Sequence, residues 1–138
     1  MTDIYSPNRY WAVTLLGGAV IGLVAAVSTQ ALKTRQQTME TARLLTRGDP
    51  THAPEVFRQY GCAGCHTIPG VAGADGKVGG DLSGLRERVY IAGVANNTPD
   101  DLIRWIVSPR VFSPKTAMPE TGISDAEARD LAAYLYAH

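Results

Sequence analysis

The residues best suited to chemistry are two thiols and an imidazole that stand close together, at Cys62, Cys65 and His66. Two cysteines separated by two residues and followed directly by a histidine form the C-x-x-C-H pattern of covalent haem attachment. Thiols one helical turn apart can each form a thioether to one of the two vinyl groups of a single porphyrin. The imidazole of His66 would then lie beneath the iron as its proximal ligand. The pattern therefore predicts one covalently attached haem c.

A C-x-x-C pair has two other chemical interpretations. It can be a redox-active dithiol, which is typical of a strand followed by a helix, and no such context surrounds Cys62. It can also be half of a zinc site, which needs two further ligands. The remaining histidines, His52 and His138, lie at the ends of their segment and are more simply solvated. The sequence thus favours haem over a dithiol or a zinc ion.

The second axial ligand of the iron is expected from Met118, the only methionine that follows the C-x-x-C-H motif. Met118 lies between Pro114 and Pro119 in a polar stretch, which is a poor place for a core side chain. The alternative is a methionine that only packs in the core. A thioether opposite a histidine fills both axial positions and raises the iron potential. We therefore expect His66 and Met118 to be the two iron ligands of the protein.

Three short helices are predicted around these residues. Pro54 suits the first turn of a helix, where its missing N–H costs nothing. Thr98 is expected to cap a helix whose first turn carries two aspartates. Ser124 opens a capping box for the last helix. The expected helices cover residues 53–60, residues 102–108 and a final segment that begins after Ser124.

Residues 51–138 are predicted to form one small domain. No strand pattern competes with the three helices, so the predicted fold class is all-α. A Gly-rich stretch, residues 67–97, separates the first two helices. A core of this size with such long loops would be marginal without a large apolar group at its centre, and the predicted haem supplies such a group.

The N-terminal part of the chain has a different character. No charged residue occurs across residues 10–32, and roughly 20 apolar helical residues cross a hydrocarbon core of about 30 Å. We interpret residues 10–32 as a single transmembrane anchor, residues 1–9 as a cytoplasmic N-terminus and residues 33–50 as a helical stalk or linker. The stalk is expected to end at Gly48-Asp49-Pro50, a combination that stops a helix. A cleaved signal peptide is the alternative. It is disfavoured because the apolar run is long, only Arg9 precedes it and no clear cleavage site follows.

Charge excludes one class of partner and raises a question about orientation. The 138 residues carry 13 basic and 13 acidic side chains, so no excess of positive charge favours nucleic acid as a partner. More lysines and arginines follow the predicted anchor than precede it. The positive-inside rule would therefore keep the C-terminal part in the cytoplasm.

The ordered set of residues from 53 to 138 resembles class I cytochromes c. The resemblance rests on Phe57, Gly61-Cys62-Ala63-Gly64-Cys65-His66, Asp81-Leu82, Trp105-Ile106 with Pro109, Met118-Pro119 and Tyr134-Leu135. It implies that the first and last helices of the domain cross, with Ala53 near Tyr134, and that the helices pack around the haem.

The resemblance also implies roles for residues beyond the motif. The carbonyl of Gly80 is expected to accept the ring N–H of the proximal histidine, at a position where the family usually has proline. Without the proline ring the loop is less rigid, so His66 is less securely oriented. Trp105 and Arg86 match positions that donate to a haem propionate, and Arg88 could serve in place of Arg86.

The stretch from Gly73 to Trp105 is especially similar to the cytochrome c domains associated with subunit II of haem-copper terminal oxidases. This likeness implies an electron carrier and not an enzyme. It would pass single electrons from a quinol-oxidising complex to a terminal oxidase, as donor or accessory subunit. Its expected partners are the membrane and redox proteins, with no small-molecule substrate.

The family resemblance also bears on localisation. Thioether attachment in this family occurs on the outer side of the bacterial cytoplasmic membrane, so the haem domain is expected in the periplasm despite the charge count. Three alternatives to the oxidase role remain at this point. They are the haem c subunit of a nitric oxide reductase, a structural or assembly subunit that needs haem to fold, and a haem sensor.

Overall fold

The computed structural model describes residues 8–138, which form two compact units that divide after Gln36. The predicted cytoplasmic segment, residues 1–9, therefore lies mostly outside the described residues. The first unit consists of the greater part of helix α1 (Asn8–Thr46). Every side chain of residues 13–36 is exposed, and the helix is long and apolar enough to cross a membrane. This is the property that a membrane anchor requires.

The second unit begins with the last turns of α1. The structure groups residues 37–50 with the domain, whereas the sequence assigned them to a stalk. The helix was expected to stop at Gly48, but it ends at Thr46, and Arg47 adopts a left-handed conformation with φ +58°. Gly48 lies directly against the last helix, since a Cβ there would lie 2.6 Å from Asp130 N and closer still to the carbonyl group of Arg129. Its lack of a side chain allows the chain to press against the last helix.

Asp49 connects the end of α1 to the rest of the domain through hydrogen bonds and an ion pair. Its carboxylate accepts hydrogen bonds from the Thr51 amide at 2.9 Å and the Thr51 hydroxyl at 2.7 Å, and it pairs with Arg43 at 2.7 Å. These contacts hold the pKa of Asp49 well below its usual range, with the bonds from Thr51 as the largest cause. The Asp49 amide donates to Asp130 Oδ1 at 2.6 Å. The end of α1 is therefore joined to the domain by specific polar contacts.

The remaining helices largely follow the predictions. Thr98 caps its helix by accepting the Asp101 N–H, and Ser124 and Glu127 form the expected capping box. A short additional helix, α4, was not predicted. It begins at Pro109, a residue suited to the first turn. The helices are α2 (Ala53–Gln59), α3 (Pro99–Val107), α4 (Pro109–Phe112) and α5 (Asp125–Ala137).

Helix α5 lies at the centre of the domain core. It packs against α2 and α3, which agrees with the crossing of the first and last helices that the family resemblance implied. The ring of Phe57 on α2 meets the ring of Tyr134 on α5 edge-to-face, with centroids 5.5 Å apart, an arrangement that adds to simple apolar burial. Ala53 and Ala132 are completely buried, so small side chains line the helix contacts.

A short hairpin interrupts the long loop between α2 and α3. Strand β1 (Tyr90–Ile91) pairs antiparallel with β2 (Ala95–Asn96). No strand was predicted here, because two-residue strands are too short to show an alternating pattern. Ile91 and Ala95 face the core while Tyr90 and Asn96 are exposed. The domain remains predominantly helical, as predicted.

Candidate functional site

The C-x-x-C-H motif forms a tight turn directly after α2. Gly61 adopts a left-handed conformation with φ +71°, which only glycine reaches without strain. The chain then makes a 3-10 turn over Cys62–Gly64. The amides of Cys65 and His66 both donate to the Cys62 carbonyl, at 3.1 and 2.9 Å. The backbone thus places the two thiols about one turn apart, as thioether bonds to one porphyrin require.

The environment of the thiols bears on the alternative chemistries. The two cysteines form no disulfide, and Cys62 is half-buried while Cys65 is exposed. Burial raises the pKa of the Cys62 thiol, whereas redox-active dithiols have a lowered pKa. Among residues 8–138, no group of three or more His, Cys, Asp or Glu side chains could hold a metal ion. Neither the dithiol nor the zinc interpretation gains support from this geometry.

His66 is held by one well-defined hydrogen bond. Its Nδ1 lies 2.7 Å from the carbonyl oxygen of Gly80. Since a carbonyl can only accept, Nδ1 must carry the proton, and the lone pair of the neutral ring is on Nε2. Nε2 is therefore the atom available to an iron. This second-sphere arrangement is typical of metal-ligating histidines.

Two glycines near His66 were not recognised from the sequence as essential. A Cβ at Gly79 would lie 2.6 Å from Nδ1 and 2.8 Å from Nε2 of His66, so the backbone of residue 79 packs directly on the imidazole. A Cβ at Gly76 would lie 2.6 to 2.7 Å from backbone atoms of Cys65 and Gly64. The high glycine content of this loop was the available signal, but it did not distinguish these positions from their neighbours.

Hydrogen bonds connect the loop of residues 67–82 to the C-x-x-C-H motif and restrain the loop itself. The Gly79 amide donates to the Cys65 carbonyl at 2.7 Å, and the Leu82 amide donates to the Thr67 carbonyl at 2.9 Å. The Thr67 hydroxyl donates to the Gly76 carbonyl at 3.1 Å. These bonds lie on both sides of Gly80, so they bring the Gly80 carbonyl to the His66 ring.

Met118 lies in the loop between α4 and α5. It is partly buried and packs against the hydrophobic core. Its amide donates to the hydroxyl of Thr116 at 3.2 Å, a local contact that restrains the backbone of the loop. Met118 therefore lies at the edge of the core with part of its side chain accessible.

The residues expected at the propionates differ in their surroundings. Trp105 on α3 is 9% exposed, with its ring centroid 6.2 Å from that of Phe112. Arg86 is exposed and has Glu87 at 3.8 Å. Arg88 instead points back to its own loop, where Nη2 donates to the carbonyls of Asp81 and Ser83 at 2.5 and 2.8 Å. Of the two arginines, Arg86 is the less engaged with the protein.

The two other histidines are not simply solvated. The Nδ1 of His52 lies 3.3 Å from Asp130 Oδ2. The ring of His138 stacks on that of Tyr134 at 4.0 Å, and its Nδ1 lies 3.0 Å from the Tyr134 carbonyl. Both contacts are at the surface of the domain. They assign these rings to local structure and not to the candidate haem site.

Comparison with known proteins points to one family. The family described as Cytochrome c matches residues 51–137, which is more than half of the chain. A curated relative named cytochrome c oxidase subunit 2, from Alkalihalophilus pseudofirmus, is 32% identical over 82 residues. The aligned region covers 59% of this chain and 23% of the relative, so the chain spans less than a quarter of that protein. No solved structure matches the chain.

Proposed function

Because this chain belongs to the cytochrome c family, which carries electrons on a covalently bound haem, we propose that it is a membrane-anchored electron carrier of a respiratory chain. One observation supports this most strongly. The imidazole of His66 directly follows the Cys62–Cys65 turn and has its Nδ1 2.7 Å from the Gly80 carbonyl. That contact leaves Nε2 free to bind an iron at the place where the thiols would fix a porphyrin.

The residues fit a haem c. Cys62 and Cys65 would hold it through two thioethers, His66 would ligate the iron from the proximal side, and Met118 would ligate it from the distal side. When bound, the haem supplies an iron that gains and loses one electron. The protein contributes the orientation of the two ligands and an apolar surrounding. A histidine opposite a thioether favours the ferrous state relative to two nitrogen ligands.

With both His66 and Met118 as ligands, the iron would have no free position for a substrate, so the proposed role is transfer of electrons and not bond chemistry. This can be tested by adding carbon monoxide to the ferrous full-length protein at neutral pH. We expect carbon monoxide to cause no change in the absorption spectrum of the unaltered protein. The Met118→Ala variant keeps His66 and both cysteines and should bind carbon monoxide. A stable complex with the unaltered protein would contradict the assignment of Met118.

We further propose that residues 10–32 anchor the protein and that the haem domain lies in the periplasm. The long exposed apolar helix supports the anchor. The side on which the family attaches its haem supports the orientation, and it outweighs a bias of a few basic residues. Protease added to intact spheroplasts should remove the haem domain. A domain that is cleaved only after lysis would contradict this orientation.

The proposed acceptor is a haem-copper terminal oxidase, with a quinol-oxidising complex as donor. The similarity to a protein named cytochrome c oxidase subunit 2 supports this acceptor. Solubilisation in mild detergent followed by identification of co-purifying subunits should recover oxidase subunits. In the same cells, Met118→Ala should lower the flux of electrons to oxygen. Unchanged flux with normal levels of the variant would contradict electron transfer and favour a structural or assembly role.

A further inference from the structure

The acceptor of the His66 proton lies in an intrinsically flexible segment. Gly79 and Gly80 are consecutive glycines, and glycine leaves the backbone more freedom than any other residue. Within the part of the chain that the structure describes, the Gly80 N–H donates no hydrogen bond. A Cβ built on Gly80 would touch nothing within 4 Å. Neither a side chain nor an amide of residue 80 therefore restrains the carbonyl that orients His66.

Backbone hydrogen bonds of the Gly79 and Leu82 amides flank Gly80, and a side chain adds a restraint on the residue that follows it. The Arg88 guanidinium, through Nη2, donates to the carbonyl of Asp81 at 2.5 Å and to the carbonyl of Ser83 at 2.8 Å. Asp81 directly follows Gly80. The Ser83 amide donates to Asp81 Oδ1 at 2.7 Å, which closes a small turn beside the guanidinium. A charged donor that spans two carbonyls is stronger than a neutral one.

Arg88 is itself fixed to the domain core. The side-chain amide of Asn97 donates to the carbonyls of Arg88 and Leu85, at 2.8 and 2.7 Å. Its oxygen accepts the hydroxyl of Tyr136 at 2.9 Å. Tyr136 is a buried residue of α5. A continuous series of hydrogen bonds therefore runs from the central helix through Asn97 and Arg88 to the peptide next to the Gly80 carbonyl.

We propose that Arg88 is a positioning residue for His66. By binding the Asp81 and Ser83 carbonyls it helps the flanking backbone bonds to hold the Gly80 carbonyl against the imidazole. The inference rests on the proposed ligation of iron by His66. A well-held carbonyl keeps the proton on Nδ1 and makes the ring a better electron donor to the metal. Arg88 thus acts on the donor strength of the His66 ring without contacting the ring itself.

The variant Arg88→Gln tests this, with Lys77→Gln as its control. Both remove one positive charge near Gly80 in the sequence, but Lys77 is exposed, whereas Arg88 contacts the carbonyls beyond Gly80. The measurement is the exchange rate of the His66 Nδ1 proton, followed by NMR on the haem-loaded full-length protein. Arg88→Gln should accelerate exchange by at least about threefold, as weakening a single hydrogen bond would. Lys77→Gln should leave the rate unchanged.

Amide protons of α5 serve as the internal reference. If they exchange as in the unaltered protein, the acceleration at His66 is local and does not reflect general unfolding. Equal His66 exchange rates in the two variants would overturn the proposal. An unaltered protein whose haem spectrum is not low-spin would instead contradict ligation of the iron by His66. Failure of the positioning role and failure of the proposed ligation are therefore distinguishable.

A second variant tests the same restraint by rescue. Gly80 lies outside the left-handed region, and its position has room for a side chain, so it should accept proline. The double variant Arg88→Gln with Gly80→Pro should slow His66 exchange to within about twofold of the unaltered rate, because the ring restrains the loop directly. A double variant that exchanges as fast as Arg88→Gln alone would refute the positioning role.

Discussion

Gly79 and Gly80 are adjacent, yet the structure predicts opposite responses to the same substitution. A methyl group at Gly80 would meet nothing within 4 Å. At Gly79 it would lie 2.6 Å from Nδ1 and 2.8 Å from Nε2 of His66, and closer still to Cε1. Ordinary contacts of a Cβ begin at 3.4 Å. Gly79→Ala should therefore displace the His66 ring by roughly 1 Å, an overlap that a close-packed site cannot absorb.

The cost of this displacement has two parts. Overpacking of this kind typically destabilises a protein by about 1–3 kcal/mol. The His66 ring would also lose its 2.7 Å contact with the Gly80 carbonyl, which costs about 1 kcal/mol. We expect Gly79→Ala to lower the free energy of unfolding by about 2–4 kcal/mol in total. Gly80→Ala should change it by less than about 0.5 kcal/mol.

Two measurements on the full-length protein in detergent would check this prediction. Denaturant unfolding of the domain gives the change in stability, and the absorption spectrum of the ferric protein reports the axial ligands. Gly79→Ala should show reduced stability and a high-spin component, while Gly80→Ala should match the unaltered protein in both. If Gly79→Ala were as stable as Gly80→Ala and kept a low-spin spectrum, the close packing of residue 79 on His66 would be refuted.

Three further predictions concern the rest of the domain. Gly48→Ala should destabilise it by about 2 kcal/mol or more, measured by thermal unfolding, because the new methyl group would collide with the backbone of α5. Because its pKa is lowered, the Asp49 carboxylate stabilises the fold above about pH 4, and this contribution should fade on acidification. Below that pH, the thermal unfolding midpoint of Asp49→Asn should fall less than the midpoint of the unaltered protein. Burial, and secondarily Asp101, raises the pKa of Tyr136 to about 12, so stability present below about pH 10 should fall as the pH approaches 12, and Tyr136→Phe should remove this alkaline loss.

Local signals in the sequence predicted the helices and the motif well. Thr98 and Ser124 are capping residues whose side chains act within three positions along the chain, so their role is visible without the fold. The C-x-x-C-H pattern is also local. The apolar length of the first helix was equally plain.

Features that depend on distant backbone contacts could not be predicted in this way. Gly48 looked like a helix stop, but its neighbour is α5, about eighty residues away in the sequence. Gly79 is critical only because the chain folds back onto His66. The role of Asn97 depends on Tyr136 and on two carbonyls of another loop. In each case a polar or small residue acts through tertiary proximity, which composition and periodicity do not encode.

The most direct test of the central claim is a redox titration of the full-length protein, followed by optical absorption. The account predicts one covalently attached haem per chain that titrates as a single one-electron centre and remains low-spin in both oxidation states, as His66 and Met118 require. A protein without covalent haem, or one that becomes high-spin on reduction, would contradict it.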